Sequence, residues 1–179
     1  MNLNKYLVFS AIIICIISCQ TKTNYIKRVV QEWQGKEIII PENVKYKILG
    51  QDTVCDDMWN KSFKVLTYID SVECISCRLN LSQWKQFIDT CIAYQPSISF
   101  IFIVCSSDYE FFERALISSE FNYPIIYDKK NDFDKLNHFP PIPYRTFLLD
   151  ADNRVKFIGS PINNPKIWTL YKKIFTLIN

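Results

Sequence analysis

Apolar and polar positions alternate in ways that divide the chain into three stretches. Residues 6–17, YLVFSAIIICII, form an apolar run of twelve. Crossing a bilayer as a helix takes about 20 apolar residues, so this run is too short to span one. Residues 20–34 are polar and then amphipathic, with Ile26, Val29, Val30 and Trp33 at helical spacing before Gly35. KEIIIP and VKYKIL then carry the pattern of two short strands, and GQDTVCDDMWNKS that of a loop.

From residue 63 the pattern sharpens. FKVLTYI is a predicted strand, followed over 77–92 by a helix with Cys77, Leu81, Trp84, Ile88, Cys91 and Ile92 on one face. SISFIFIV is nearly all apolar, as a strand buried on both faces should be. SDYEFFERALISS reads as a helix with a Ser or Asp cap, and YPIIYD as a short strand. TFLLD and RVKFIGS, joined by ADN, form a predicted hairpin. The closing helix starts with Asn164 as cap and Pro165 in its first turn, with Ile167, Leu170, Ile174 and Leu177 at helical spacing. Strands alternating with helices imply parallel pairing through right-handed crossovers. An antiparallel hairpin and a last helix complete the order. The expected fold is therefore α/β and thioredoxin-like: a central mixed sheet flanked by helices, with an N-terminal extension.

Composition narrows the function classes. Apolar residues make up 49% and aromatic residues 15% of the chain, which argues against disorder. The net charge of +3 is spread along the sequence, so no nucleic-acid surface is expected. Three glycines leave no Gly-rich phosphate loop. Lys5 and the apolar run have the form of an export signal ending in IISCQ. An aliphatic pair, a small residue and then Cys resembles the bacterial lipoprotein cleavage box, which would make Cys19 the lipidated first residue of the mature protein. The expected division is 1–18 signal peptide, 19–62 linker and extension, and 63–179 thioredoxin-like domain. The lipoprotein resemblance implies a lipid-anchored membrane protein of the cell envelope, and because surface-export signals in some gut-bacterial lipoproteins are acidic after the cysteine whereas QTKTN is not, it implies one that faces the periplasm.

Outside the cytoplasm disulfides persist, so the remaining thiols need an account. Cys74 and Cys77 form a CxxC pair just past a predicted strand and at a predicted helix start. Free backbone N–H groups and the helix dipole would lower the Cys74 pKa there. Arg78 adds to this and Glu73 opposes it. Cys77 falls on the buried stripe. The asymmetry suits a nucleophile, Cys74, and a resolving thiol, Cys77. A structural disulfide and a metal site are the competing readings. Structural zinc takes four ligands, whereas the chain has no second CxxC and a single histidine, His138. No metal or other cofactor is expected.

CISCR, the strand end IVCSSD, the hairpin TFLLDADNRVKFIGSPI and the closing helix together resemble thioredoxin-like lipoproteins of the membrane-anchored thiol-disulfide oxidoreductase family, redoxin-like members included. EWQGKEIIIPE is similar to the segment that precedes the fold in such lipoproteins from Bacteroides-type bacteria. The resemblance implies dithiol/disulfide exchange with protein thiols or disulfides as substrates, in the reducing direction, fed by a membrane thiol donor. Glu73 stands where the family usually has Trp, and Asn80 and Ser82 where Glu and Pro are common. The family's cis-proline before the TF strand corresponds to Pro143, one residue early, with Tyr144 in the usual slot. The Pro/Thr-rich approach to the first cysteine of peroxiredoxins is missing.

Cys105, ending the strand expected beside the one that feeds Cys74, is a candidate third thiol at the same sheet edge, or simply a small residue at a strand end. Cys91 fits the helix core. Cys55 lies in a polar loop, and His138 in LNHFPP reads as a loop residue. Phe111–Phe112 and Trp168–Tyr171 are expected in the core or a groove. The alternative function is a redox-inactive thioredoxin-fold lipoprotein acting as a binding or accessory module, which the departures at Glu73 and Pro143 favour.

Overall fold

The computed structural model of the chain describes residues 24–42, 44–70, 80–95, 97–141 and 143–178. The chain forms two compact units, Met1–Trp33 and Gln34–Asn179. In the first, residues 24–33 form helix α1, on which Val29 and Trp33 are buried and Val30 is exposed. Gly35 follows with φ +78°, a backbone conformation that an L side chain resists.

The second unit is built on seven strands: β1 (Tyr46–Ile48), β2 (Gln51–Thr53), β3 (Phe63–Ile69), β4 (Ile98–Val104), β5 (Ile125–Tyr127), β6 (Thr146–Leu149) and β7 (Val155–Ile158). Four helices accompany them: α2 (Leu81–Tyr94), α3 (Tyr109–Ser118), α4 (Asp132–Asn137) and α5 (Pro165–Ile178). The sheet order is β2-β1-β5-β4-β3-β6-β7. β3, β4 and β5 run parallel, and the remaining pairs are antiparallel. The expected thioredoxin-like α/β fold is thus present, and residues 46–53 of the expected extension add two strands to its sheet.

All seven residues of β4 and the first six of β3 are buried, which is why both read as apolar runs. Successive side chains take opposite faces. Phe63 and Val65 of β3 join Ile98, Phe100, Phe102 and Val104 of β4 in one core with Trp84 and Ile88 of α2, Phe112 and Leu116 of α3, and Tyr171 and Phe175 of α5. Aromatic edges meet aromatic faces there, Trp84 on Phe102 at 5.1 Å and Phe63 on Phe175 at 5.0 Å. Lys64 points to the other face and is 0% exposed. Its ammonium donates to Trp59 O at 2.9 Å and Ala151 O at 2.8 Å, tying the 3-10 turn Asp56–Asn60 to the β6–β7 turn. Burial lowers the Lys64 pKa, and Asp150 and Asp152 oppose that shift.

Where structure and sequence pattern differ, a local interaction explains the difference. The loop expected over 50–62 contains β2, because Leu49 and Gly50, at φ +49° and +82°, form a two-residue hairpin turn of the primed kind. Described helix α2 begins at Leu81, after Asn80 in the left-handed region, and residues 77–79 of the expected helix lie outside the described residues. Ile92, expected on its buried stripe, is 44% exposed. In α5 the large aromatics Tyr171 and Phe175 take the core, and Leu170 turns outward. α4 was not expected; it is short, and the Asp128 carboxylate accepts N–H groups of its first turn, from Asp132 at 2.8 Å and Phe133 at 3.0 Å. KEIIIP is no strand but a strap. Val155 N–H donates to Lys36 O at 2.9 Å and Ile38 N–H to Asn153 O at 2.9 Å. Then the Asn137 side-chain amide takes over, accepting from Ile39 N–H at 2.8 Å and donating to Ile39 O at 2.9 Å, as a neighbouring strand would.

Asn137 is 1% exposed, so its loss leaves paired groups without partners. Asn137→Ala is expected to cost about 1–3 kcal/mol. Urea unfolding should show a lower midpoint at unchanged slope. An unchanged midpoint would mean that the strap is held by other contacts.

Candidate functional site

The parallel strands β3 and β4 end together, Ile69 opposite Val104. Cys105 N–H donates to Ile69 O at 2.8 Å, and Asp128 N–H to Val104 O at 2.9 Å. β6 enters antiparallel, Thr146 opposite Thr67, and Tyr68 N–H donates to Arg145 O at 2.9 Å. One sheet edge therefore collects the ends of β3, β4 and β5 and the approach to β6. In α/β sheets this carboxyl edge is where sites form. Cys74, Cys77 and Arg78 follow Asp70 within residues 71–79, outside the described residues, as is Cys19. Because α2 starts at Leu81, the described part of the helix does not carry the dipole argument made for Cys74.

The described part of the edge is polar and tightly connected. The Tyr68 hydroxyl donates to Asn131 Oδ1, and the Tyr68 ring stacks on Phe139 at 4.6 Å. Arg145 pairs with the Asp70 carboxylate, their side chains 17% and 20% exposed. Arg145 Nε also donates to Pro140 O at 2.8 Å, and its guanidinium carbon lies 5.5 Å from the Tyr68 ring centre. Asp70 Oδ1 is buried with no hydrogen-bond partner among the described residues.

Cys105 stands in this array as a half-buried free thiol, at the edge where the sequence placed it. Burial pushes its pKa up, the Asp128, Asp70 and Asp134 carboxylates add to that, and a hydrogen bond with Tyr68 partly offsets them. The Asp128 pKa is itself raised by burial, although the two N–H groups it accepts pull the other way. Tyr109 donates to Val104 O at 2.8 Å and stacks on Tyr127 at 4.8 Å; burial pushes its hydroxyl up to about 12. Pro143 lies on the same side of the sheet, in the loop before β6, and is exposed; Tyr144 beside it is half-buried.

Elsewhere, Cys91 is fully buried on α2, its thiol pushed up to about 12 by burial, as a core residue should be. Cys55 is a partly exposed free thiol, and His138 is exposed at the end of α4. Among the described residues no group of three or more acidic, His or Cys side chains is arranged to hold a metal ion, and no helix is long and apolar enough to cross a membrane.

Tyr68, Asp70, Asn131 and Arg145 were not singled out in the sequence. Asp70 and Arg145 lie 75 residues apart and meet only through the β3–β6 pairing. The available signal was a charged residue ending one apolar strand, in LTYID, and another opening the next, in RTFLL.

No family model matches the chain, and no curated protein matches its sequence. Solved structures do share its fold. StoA from Bacillus subtilis aligns over 69% of this chain and 96% of its own, at 21% identity and a TM-score of 0.50. The thioredoxin domain of thiol-disulfide oxidoreductase BVU-2223 from Bacteroides vulgatus aligns over 79% and 97%, at 11% identity and 0.58. A candidate thiol:disulfide interchange protein DsbE from Chlorobium tepidum aligns over 82% and 98%, at 15% identity and 0.59. At these identities the likeness establishes the fold, which is thioredoxin-like.

The Cys105 environment makes a direct prediction. Its alkylation rate should reach half-maximum above pH 8.5, roughly the ordinary thiol value. Asp128→Asn should lower that midpoint, since one carboxylate is removed. A wild-type midpoint at or below the ordinary value would contradict the assignment.

Proposed function

We propose that this chain is a thiol-disulfide oxidoreductase of the cell envelope, working through Cys74 and Cys77. The observation that carries the reading is positional. A CxxC pair begins four residues after Asp70, where β3 leaves the carboxyl edge of a thioredoxin-like sheet. The thiol-disulfide oxidoreductase BVU-2223 and the thiol:disulfide interchange protein DsbE share the fold, which supports it. The N-terminal pattern supports a lipoprotein of the Bacteroides type, anchored through Cys19 and facing the periplasm, with residues 19–62 leading into the domain. Membrane fractionation of Cys19→Ala against wild type tests the anchor; equal membrane retention would remove it.

The chemistry follows from thiolate attack. The Cys74 thiolate attacks one sulfur of a substrate disulfide, forming a mixed disulfide and expelling the other substrate sulfur as a thiolate. Cys77, deprotonated, then attacks the Cys74 sulfur and releases the second substrate thiol. The substrate gains two electrons and the pair is left oxidised. A membrane thiol donor would return two electrons to it. Arg78 supports the Cys74 thiolate, and Pro143 and Cys105 flank the exchange.

Cys74→Ser is expected to abolish disulfide exchange. Cys77→Ser should still attack and accumulate a mixed disulfide on Cys74, visible by mass spectrometry. Trapping by Cys74→Ser instead would reverse the roles. If neither variant changes activity, or wild type has none, the chain is a redox-inactive binding or accessory module.

A further inference from the structure

A groove of about 560 Å³ runs beside β1 and β5, lined by Lys45, Lys47, Lys129 and Lys130 and by Glu42, Asp52, Asp128 and Asp132. The formal charges balance, but their pairing does not. Lys47 donates to Gly50 O at 3.0 Å and pairs with Asp52 at 3.5 Å. Asp132 pairs at 3.3 Å with Lys135, which is not part of the lining. The Asp128 carboxylate accepts the N–H groups of Asp132 and Phe133. Asp52, Asp128 and Asp132 are thus engaged within the fold. Lys45, Lys129 and Lys130 are exposed, and among the described residues their ammonium groups have no hydrogen bond or ion pair. Lys129 only lies over the Tyr109 ring, 5.6 Å from its centre. Glu42, the remaining acid, is exposed and equally unpaired.

Strand order puts these lysines at the carboxyl edge of the sheet. β1 runs antiparallel to β5, so its start meets the end of β5, and Tyr127 N–H donates to Lys45 O at 3.3 Å. Lys129 and Lys130 follow directly after Asp128, whose N–H bonds Val104 O beside Cys105. Asp128 therefore belongs both to the groove and to the candidate site.

We propose that this groove docks an acidic, extended segment of a partner protein, held by Lys45, Lys129 and Lys130 next to the candidate site. Charge complementarity selects the occupant. Phosphate is typically held by arginine forks or by clusters of backbone N–H groups. No arginine lines the groove, and Asp128 already takes the first-turn amides of α4. Lysine ammonium groups on flexible stems act as separate point charges. Carboxylates spaced along an extended chain match three such charges, and Pro41, Val44 and Phe133 offer apolar surface to the side chains between them. This docking is electrostatic and does not depend on the chemistry of Cys74 and Cys77.

The test is fluorescence anisotropy of a labelled nonapeptide of alternating Glu and Ala, titrated with the full chain in mild detergent. Binding should weaken as NaCl rises from about 50 to about 300 mM. Lys45→Gln, Lys129→Gln and Lys130→Gln should each raise Kd roughly two- to fivefold, and the triple variant at least about tenfold. Glu42→Gln should lower Kd by a factor like that of one lysine, because it removes the unpaired acid. Lys61, Lys166 and Lys173 are exposed and do not line the groove. Changing all three to Gln alters net charge equally and should leave Kd within about twofold of wild type. Several results would overturn the proposal: no binding with protein at about 1 mM, equal binding of a peptide with Gln in place of Glu, or an equal loss in the control triple variant. Displacement of the peptide by inorganic phosphate at equal concentration would make the groove a small-anion site instead. Lysine-dependent sedimentation with phosphatidylglycerol vesicles, without peptide binding, would make it a membrane-facing patch. The measurement needs no turnover. A chain that binds the peptide but exchanges no disulfides would refute the proposed function and leave the docking groove standing.

Discussion

The parallel pairing of β3 with β4 is the constraint on which the rest depends. The two strands run in register from Phe63 opposite Ile98 to Ile69 opposite Val104, almost wholly buried. Burial on both faces requires helices on one side and a cover on the other. α2, α3 and α5 supply the first, and α4 with the Phe139 loop contributes to the second. Because the strands stop together, the chain must turn out at one edge twice, at Asp70 and at Cys105. That shared stop brings Tyr68, Cys105 and Asp128 into one array.

Charge gives that edge its chemical character. Asp128, Asp70 and Asp134 push the Cys105 thiol upward, and Arg145 pairs with one of them, Asp70. The opposite edge uses charge differently. There the buried Lys64 ammonium donates to two backbone carbonyls and fastens two turns, a structural use of a cation. At the carboxyl edge the Asp70 carboxylate pairs with Arg145 through one oxygen, and its other oxygen is buried with no hydrogen-bond partner among the described residues.

Much of this was legible in the sequence. The central strands announce themselves because full burial demands unbroken apolar runs, and the CxxC pair stands out by spacing. Other features had no periodic signal. β2 follows from the positive φ angles at Leu49 and Gly50, and α4 from the two N–H groups that Asp128 accepts; each hangs on one local interaction. Ile92 and Leu170 were placed inward because helical spacing alone admits neighbouring phases. Volume decides among them, with Tyr171 and Phe175 filling the space beside Phe63 and Phe157. The Asp70–Arg145 pair was invisible because only strand pairing makes the two residues neighbours.

The central claim is that Cys74 and Cys77 form a redox couple on this edge. Equilibrating the protein in thiol–disulfide buffers of defined potential, then trapping and mapping its disulfides, tests it most directly. The account predicts a single two-electron transition linking Cys74 to Cys77, at a potential nearer thioredoxin's, about −270 mV, than DsbA's, about −120 mV. A Cys74–Cys77 disulfide that never forms, or a potential at the oxidising end of that range, would contradict it.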